Sequence, residues 1–286
     1  MRAERLTDRI GYHLEGPVWW PRADEYRVVD MLAGDVLRIG AGPGGAPLRI
    51  PIGSAIAACL RPRRGGGAII GRERDIALAE NDDLVDPRPL AVLPAGPGVR
   101  GNEGGYDPLG RFLLGTMARD QRAGGGALHR VDPARPGAVE TVLAAVTVSN
   151  GLAWAAEGDR AYYCDSGTGV VSAIEGDDFA GRRDFVRFDD DEGVPDGCCV
   201  DAEGGVWVAA NGAGEVRRWS PEGALTAVVE VDARQVTACA FGGPGLRELL
   251  ITTSREDLDD GDDPAAGSLF AVEPSVAGLP PLEYAG

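Results

Sequence analysis

The stretch GVPDGCCVDAEGGVWVAA, residues 193–210, holds the phrase that decides the fold. Its second half, DAEGGVWVAA, is a polar turn ending in glycine and then a short apolar strand, the signature of a hairpin feeding a buried strand. The phrase recurs as DPLGRFLLGTM at 107–117 and AAEGDRAYYCDS at 155–166. Looser copies are PRADEYRVVDM at 21–31, RPRRGGGAIIGRE at 61–73 and GGPGLRELLITTS at 242–254. Eight residues before the turn glycines Gly110, Gly158, Gly204 and Gly245 stand Asn102, Asn150, Asp196 and Thr237. The same count from Gly65 gives Ala57, and from Ala23, which replaces the glycine in the first copy, it gives Glu15. The series 15, 57, 102, 150, 196, 237 advances by 42, 45, 48, 46 and 41 residues.

A period of about 40–50 residues with several strands per unit marks a β-propeller. Six copies predict an all-β, six-bladed propeller, and no composition break divides it, so residues 1–286 are read as one domain. Residues 4–11 are expected to pair with the last blade and close the ring. Equivalent positions of six blades lie around one axis. The ring reads Glu15, Ala57, Asn102, Asn150, Asp196 and Thr237, and is expected at the solvent-facing mouth of the channel.

Carboxylates and amides are hard oxygen ligands suited to Ca²⁺, Mg²⁺ or Mn²⁺, and carboxylates also take Zn²⁺. Glu15, Asn150 and Asp196 therefore form a candidate site for one divalent ion on the axis, with coordination positions left for substrate. Asn150-Gly151 and Asp196-Gly197 alone would read as turn dipeptides. Glutamate is not a turn former, so its shared register with the other two favours the site.

Composition excludes much else. The 286 residues carry 45 acids against 28 bases, a net charge of −17, which opposes nucleic acid and anionic membranes as partners. All 28 bases are arginine, which removes Schiff-base lysine chemistry and the lysine of a phosphate-binding loop. No apolar run approaches a membrane span of about 20 residues, and the N-terminal segment has no apolar signal-like core. Five cysteines at 59, 164, 198, 199 and 239 read as reduced, buried thiols in a cytoplasmic protein. Adjacent Cys198 and Cys199 should face opposite sides of a strand. His13 and His129 form no metal-protease spacing, and no GxSxG elbow is present. REDLDDGDDP at 255–264 and the acids at 189–192 read as solvated loops; GAGPGG at 40–45 and RGGG at 64–67 read as hairpin glycines.

The phrases EGPVWWPRADEYRVVD, RGNEGGYDPLGRFLLGTM, SNGLAWAAEGDRAYYCDS, GVPDGCCVDAEGGVWVAA and CAFGGPGLRELLITTS, with the tail GLPPLEYAG, resemble the regucalcin, gluconolactonase and luciferin-regenerating enzyme family. The resemblance implies a divalent metal held by Glu15, Asn150 and Asp196, and hydrolysis of lactones, often of sugar acids. It places Arg100 and Asn102 at the substrate, in a loop ahead of the DPLGRFLLGTM strand. Glu103 stands where the family has aspartate. Ala118, Arg119 and Asp120 follow GTM where some members carry a substrate-contacting glutamate, so Glu103 and Asp120 join the substrate candidates. Gly105 replaces a common lysine, and Ala210-Asn211-Gly212 replaces a segment often holding tryptophan.

The expectation is a metal-dependent lactonase, Ca²⁺ favoured over Zn²⁺, Mn²⁺ or Mg²⁺, with Asp196 as ligand and base and a small molecule as substrate. Its alternatives are a phosphotriester or rearranging metabolite on the same metal site, and a calcium- or ligand-binding propeller without turnover. Oligomeric state is not encoded legibly.

Overall fold

The computed structural model describes residues 1–40, 46–176, 178–189 and 193–286. Its strands form six four-stranded antiparallel sheets, each one blade of a propeller. The innermost strands are Leu14–Trp20, Ala57–Pro62, Val99–Tyr106, Ser149–Trp154, Val194–Val200 and Val236–Gly242. Among the described residues the only helices are three short 3₁₀ turns, and none is long or apolar enough to cross a membrane. The ring closes as the sequence implies: Glu4 and Arg5 pair with Ala271 and Phe270, supplying the outer strand of the sixth blade. Most of GAGPGG and residues 190–192 lie outside the described residues.

Apolar side chains of the inner and second strands pack blade against blade. One continuous cluster joins the first three blades through Trp20, Met31, Leu60, Ile70, Phe112 and Leu114. Outer strands are exposed, as Gly181–Arg187 shows along most of its length. This gradient fits a ring of sheets whose inner edges line the axis.

Every inner strand breaks its pairing register at the same level: after Glu15, Ala57, Gly101, Ser149, Pro195 and Val236. A bulge of this kind frees residues from the ladder and re-aims their side chains. Asn102, Asn150, Asp196 and Thr237 fall inside the bulges, whereas Glu15 and Ala57 are the last paired residues before them. This corrects the equal spacing read from the sequence. The left-handed turn residue is Gly110, Gly158, Gly204 or Gly245 in four blades, but Asp24 in the first and Gly66 in the second. Aspartate tolerates that conformation, so a count anchored on Ala23 runs one place short.

Two further expectations change. Arg100 and Asn102 lie within the inner strand Val99–Tyr106, not in a loop ahead of it. Asp196, read as a site residue just ahead of an apolar strand, likewise lies within the strand Val194–Val200. Both segments carry bulge-forming glycines, which in sequence look like turn signals.

The tail crosses the face that holds the turns between inner and second strands. Ala277 accepts a bond from Ala202 N–H at 2.8 Å, and Gly278 N–H donates to Leu246. Farther on, Tyr284 N–H donates to Pro62 and Ala285 N–H to Gly110, each at 3.0 Å. The strap thus runs from the fifth and sixth blades to the second and third, laying Leu279–Leu282 over the axis.

Candidate functional site

The bulges bring the polar ring together, and it is buried instead of solvent-facing: Glu15, Asn102, Asn150 and Asp196 are 2–6% exposed.

Asn150 and Asp196 are neighbours across adjacent blades. A Cβ on Gly151 would lie 2.7 Å from the Asp196 carbonyl oxygen, so glycine is what lets the two bulges touch. Ser166 fixes the Asn150 amide. Its hydroxyl donates to the Pro195 carbonyl at 2.6 Å and accepts from Asn150 Nδ2 at 2.7 Å. The amide oxygen therefore turns inward, where Asn102 Nδ2 donates to it at 3.0 Å. Asn102 is held in turn by the Ser149 carbonyl at 2.8 Å and by Arg100, whose Nη1 donates to its Oδ1 at 2.6 Å. Arg100 Nη1 also reaches the Gly101 carbonyl and Met31 Sδ.

Asp196 has one oxygen bound and one free. Oδ2 accepts from Asn211 Nδ2 at 2.9 Å, while Oδ1 is buried without a partner. Burial raises the Asp196 pKa well above the carboxylate range; the Asn211 bond opposes this, and the charges of Glu103 and Glu256 add to it. Glu15 is also raised, by burial first and then by Asp196 and Glu103. Glu15 thus feels the Asp196 charge although it stands one residue before the bulge. Its side chain is one methylene longer than aspartate's. Glu15 Oε2 accepts from Gly16 N–H at 3.1 Å, and Oε1 lies 3.9 Å from His13 Nε2.

Among the described residues no three His, Cys, Asp or Glu side chains form a metal cluster. The ring's donor set is two carboxylates and one amide. It fits a hard divalent cation on two grounds: Asp196 Oδ1 is an orphaned buried acceptor, and two like charges are held together away from water, an arrangement that demands a counter-charge.

The other candidates divide. Asp120 is exposed and bonded to Arg122 at 2.9 Å, with no contact to the ring. Glu103 is buried and faces Arg61, 3.5 Å away, in a cavity on the strap side of the ring. Thr237, the sixth ring member, donates to the Leu14 carbonyl at 2.6 Å and ties the last blade to the first.

Four residues of the site escape the repeat. Besides Ser166 and Asn211, His13 and Glu256 stand next to it. His13 Nδ1 lies 2.7 Å from Ser254 Oγ and 3.3 Å from Glu256. Burial, the Arg100 charge and a weaker opposing effect of Asp30 leave the His13 pKa at about 4, so the ring is neutral imidazole at pH 7. The acidic run at 255–264 is thus not wholly solvated: Glu256 is half-buried against the site, and Asp263 accepts Arg234, Ala265 and Ala266 N–H groups. Ser166 ends the phrase SNGLAWAAEGDRAYYCDS and could have been found there; His13 and Glu256 had no such signal.

Comparison with known proteins gives the family and the fold. Residues 14–255 match the family described as SMP-30/Gluconolactonase/LRE-like region. Regucalcin of Danio rerio is 33% identical over 95% of this chain and 94% of its own. A 6-deoxy-6-sulfogluconolactonase of Pseudomonas putida is 34% identical over the same shares. The crystal structure of regucalcin from Agrobacterium tumefaciens, described as a calcium-binding protein, superposes with a TM-score of 0.89 at 25% identity, covering 99% of this chain and 97% of that one.

Proposed function

The chain belongs to the SMP-30/Gluconolactonase/LRE-like family, and from that premise we propose that it hydrolyses a lactone with the help of one divalent cation. The observation that carries the reading is the orphaned oxygen of Asp196, aimed into a ring of hard donors.

Glu15, Asn150 and Asp196 would hold the ion. The all-oxygen donor set suits Ca²⁺ best, with Mg²⁺ or Mn²⁺ next; Zn²⁺ usually recruits nitrogen or sulfur, and the adjacent His13 is turned to Ser254 and Glu256. When bound, such an ion supplies Lewis acidity toward an ester carbonyl.

The chain's own residues do the rest. Asp196, a ligand whose carboxylate has a second oxygen, would accept the proton of the attacking water. Arg100 is pinned through one nitrogen, and its other guanidinium donors make no hydrogen bond among the described residues. They would hold a carbonyl or carboxylate oxygen of the substrate. Asn102 sits between Arg100 and Asn150 and sets the distance from substrate to ring. Opening the lactone yields a hydroxy acid, whose new carboxylate Arg100 also matches.

The sulfogluconolactonase relative favours a polar sugar-acid lactone. The calcium-binding relative favours a second reading, an ion-binding propeller without turnover. A panel of sugar and aliphatic lactones, assayed by acid release after chelation and after adding back Ca²⁺, Mg²⁺, Mn²⁺ or Zn²⁺, separates them. Metal-restored hydrolysis supports the lactonase. Calcium binding with no acid release from any lactone leaves the ion-binding reading.

A further inference from the structure

A cavity lined mainly by apolar side chains lies away from the ring of Glu15, Asn150 and Asp196. It fills the other half of the channel, beyond the bulges, with a volume of about 420 Å³. Its walls are apolar and include Trp19, Leu152, Trp154 and Phe241, and the strap residues Leu279 and Leu282 line it too. A dry apolar cavity of roughly 150 Å³ takes one benzene-sized molecule, so this one has room for on the order of ten to fifteen non-hydrogen atoms.

One polar pair faces this space. Arg61 Nη2 lies 3.5 Å from Glu103 Oε1. The other oxygen, Glu103 Oε2, is buried with no hydrogen-bond partner, and the residue is only 5% exposed. Trp154 Nε1 is a second buried group without a partner in the same walls. A buried acceptor left unsatisfied costs about 1–3 kcal/mol, which a donor would recover. Arg61 already balances the charge of Glu103, so the missing donor is neutral. Water would find few other partners against these walls.

We propose that the strap-side half of the channel is a second binding site, for a neutral, largely apolar small molecule carrying a hydroxyl group that donates to Glu103 Oε2. The strap Leu279–Leu282 forms the floor against which the apolar body packs. The site is separate from the metal ring and does not depend on the hydrolase reading.

The test titrates 2-naphthol and naphthalene into the chelator-treated, full-length protein while following tryptophan fluorescence, since Trp19 and Trp154 line the cavity. 2-Naphthol is expected to bind at least tenfold more tightly than naphthalene. Glu103→Gln should remove about tenfold of that advantage, because a hydrogen bond to a charged acceptor is roughly twice as strong as one to a neutral one. Ala240→Phe, which fills the wall, should block both probes; Asn150→Ala on the ring should change neither. Equal affinity for the two probes in the unmodified protein, or no saturable binding at all, overturns the proposal without reliance on any variant. So does loss of binding in Asn150→Ala with Glu103→Gln unaffected, which would move the probe to the ring.

Discussion

Replacing Asp196 by asparagine should make the metal-free protein more stable and the enzyme nearly inactive. In the metal-free state Asp196 Oδ1 is buried and unpartnered, beside Glu15 and within the field of Glu103. An amide keeps an oxygen for the Asn211 N–H and turns an NH₂ toward the acceptors that now repel Asp196. Removing one unsatisfied buried acceptor should gain about 1–3 kcal/mol. In a chain of this size that raises Tm by roughly 2–4 °C per kcal/mol. Under calcium the order should reverse. The variant loses one of two negative ligands, and each tenfold loss of affinity removes about 1.4 kcal/mol of ligand-derived stability. Turnover should fall about 10²–10⁴-fold, the contribution of a general base. Thermal melts in chelator and in calcium, with acid release from the best lactone of the panel, measure all three. An Asp196→Asn protein no more stable than its parent in chelator, with unchanged calcium stabilisation and near-normal turnover, would refute both the ligand and the base.

Asn150→Ala should weaken metal binding while the fold persists, because Ser166 keeps its bond to Pro195; calorimetric titration of calcium reads the loss. Arg100→Ala should raise KM or lower kcat with metal affinity nearly unchanged, and an equal loss of metal would make Arg100 structural. Far from the site, His129 is buried between Thr116 and Thr141, and its pKa is lowered to about 4 by burial. The unfolded chain binds a proton near pH 6.5 and the folded one does not, so stability is lost as pH falls from 6.5 toward 4. At pH 5 the loss is about 2 kcal/mol, and His129→Gln should flatten that part of the denaturation profile.

The blade count was legible because five of the six units carry a glycine that takes a positive φ, as Gly110, Gly158 and Gly204 do. The register of the first blade was not, because Asp24 fills the left-handed position without being a glycine. Glu15 was therefore aligned with Asn150 and Asp196 by a count one residue short. Its longer side chain starts one place earlier, and it still feels the Asp196 charge. Asn211 stood out as a departure from the family, but its bond to Asp196 Oδ2 depends on the bulge and has no sequence signature. Likewise Glu256 was hidden in an acidic run several of whose members, such as Asp257 and Asp260, are exposed.

The bulge explains why one short strand can present two kinds of surface. In a regular strand, side chains alternate between faces, and the facing of one residue dictates that of every other. Each inner strand here breaks that alternation at the ring. Before or within the break stand Glu15, Asn102, Asn150 and Asp196; past it stand Trp19, Leu152, Trp154, Cys198 and Cys199, which line the strap-side cavity. The adjacent cysteines fit the same scheme. Cys199 Sγ lies 3.7 Å from Cys239 Sγ in the next blade, while Cys198 turns toward Tyr162 in the previous one, so both thiols are spent on packing below the ring. Glu103 is the exception, a charged residue inside the break that lines the apolar cavity and is felt by both ring carboxylates. Its position lets the walls of the lower chamber vary without touching the donors above, while any change at Glu103 itself must register in both.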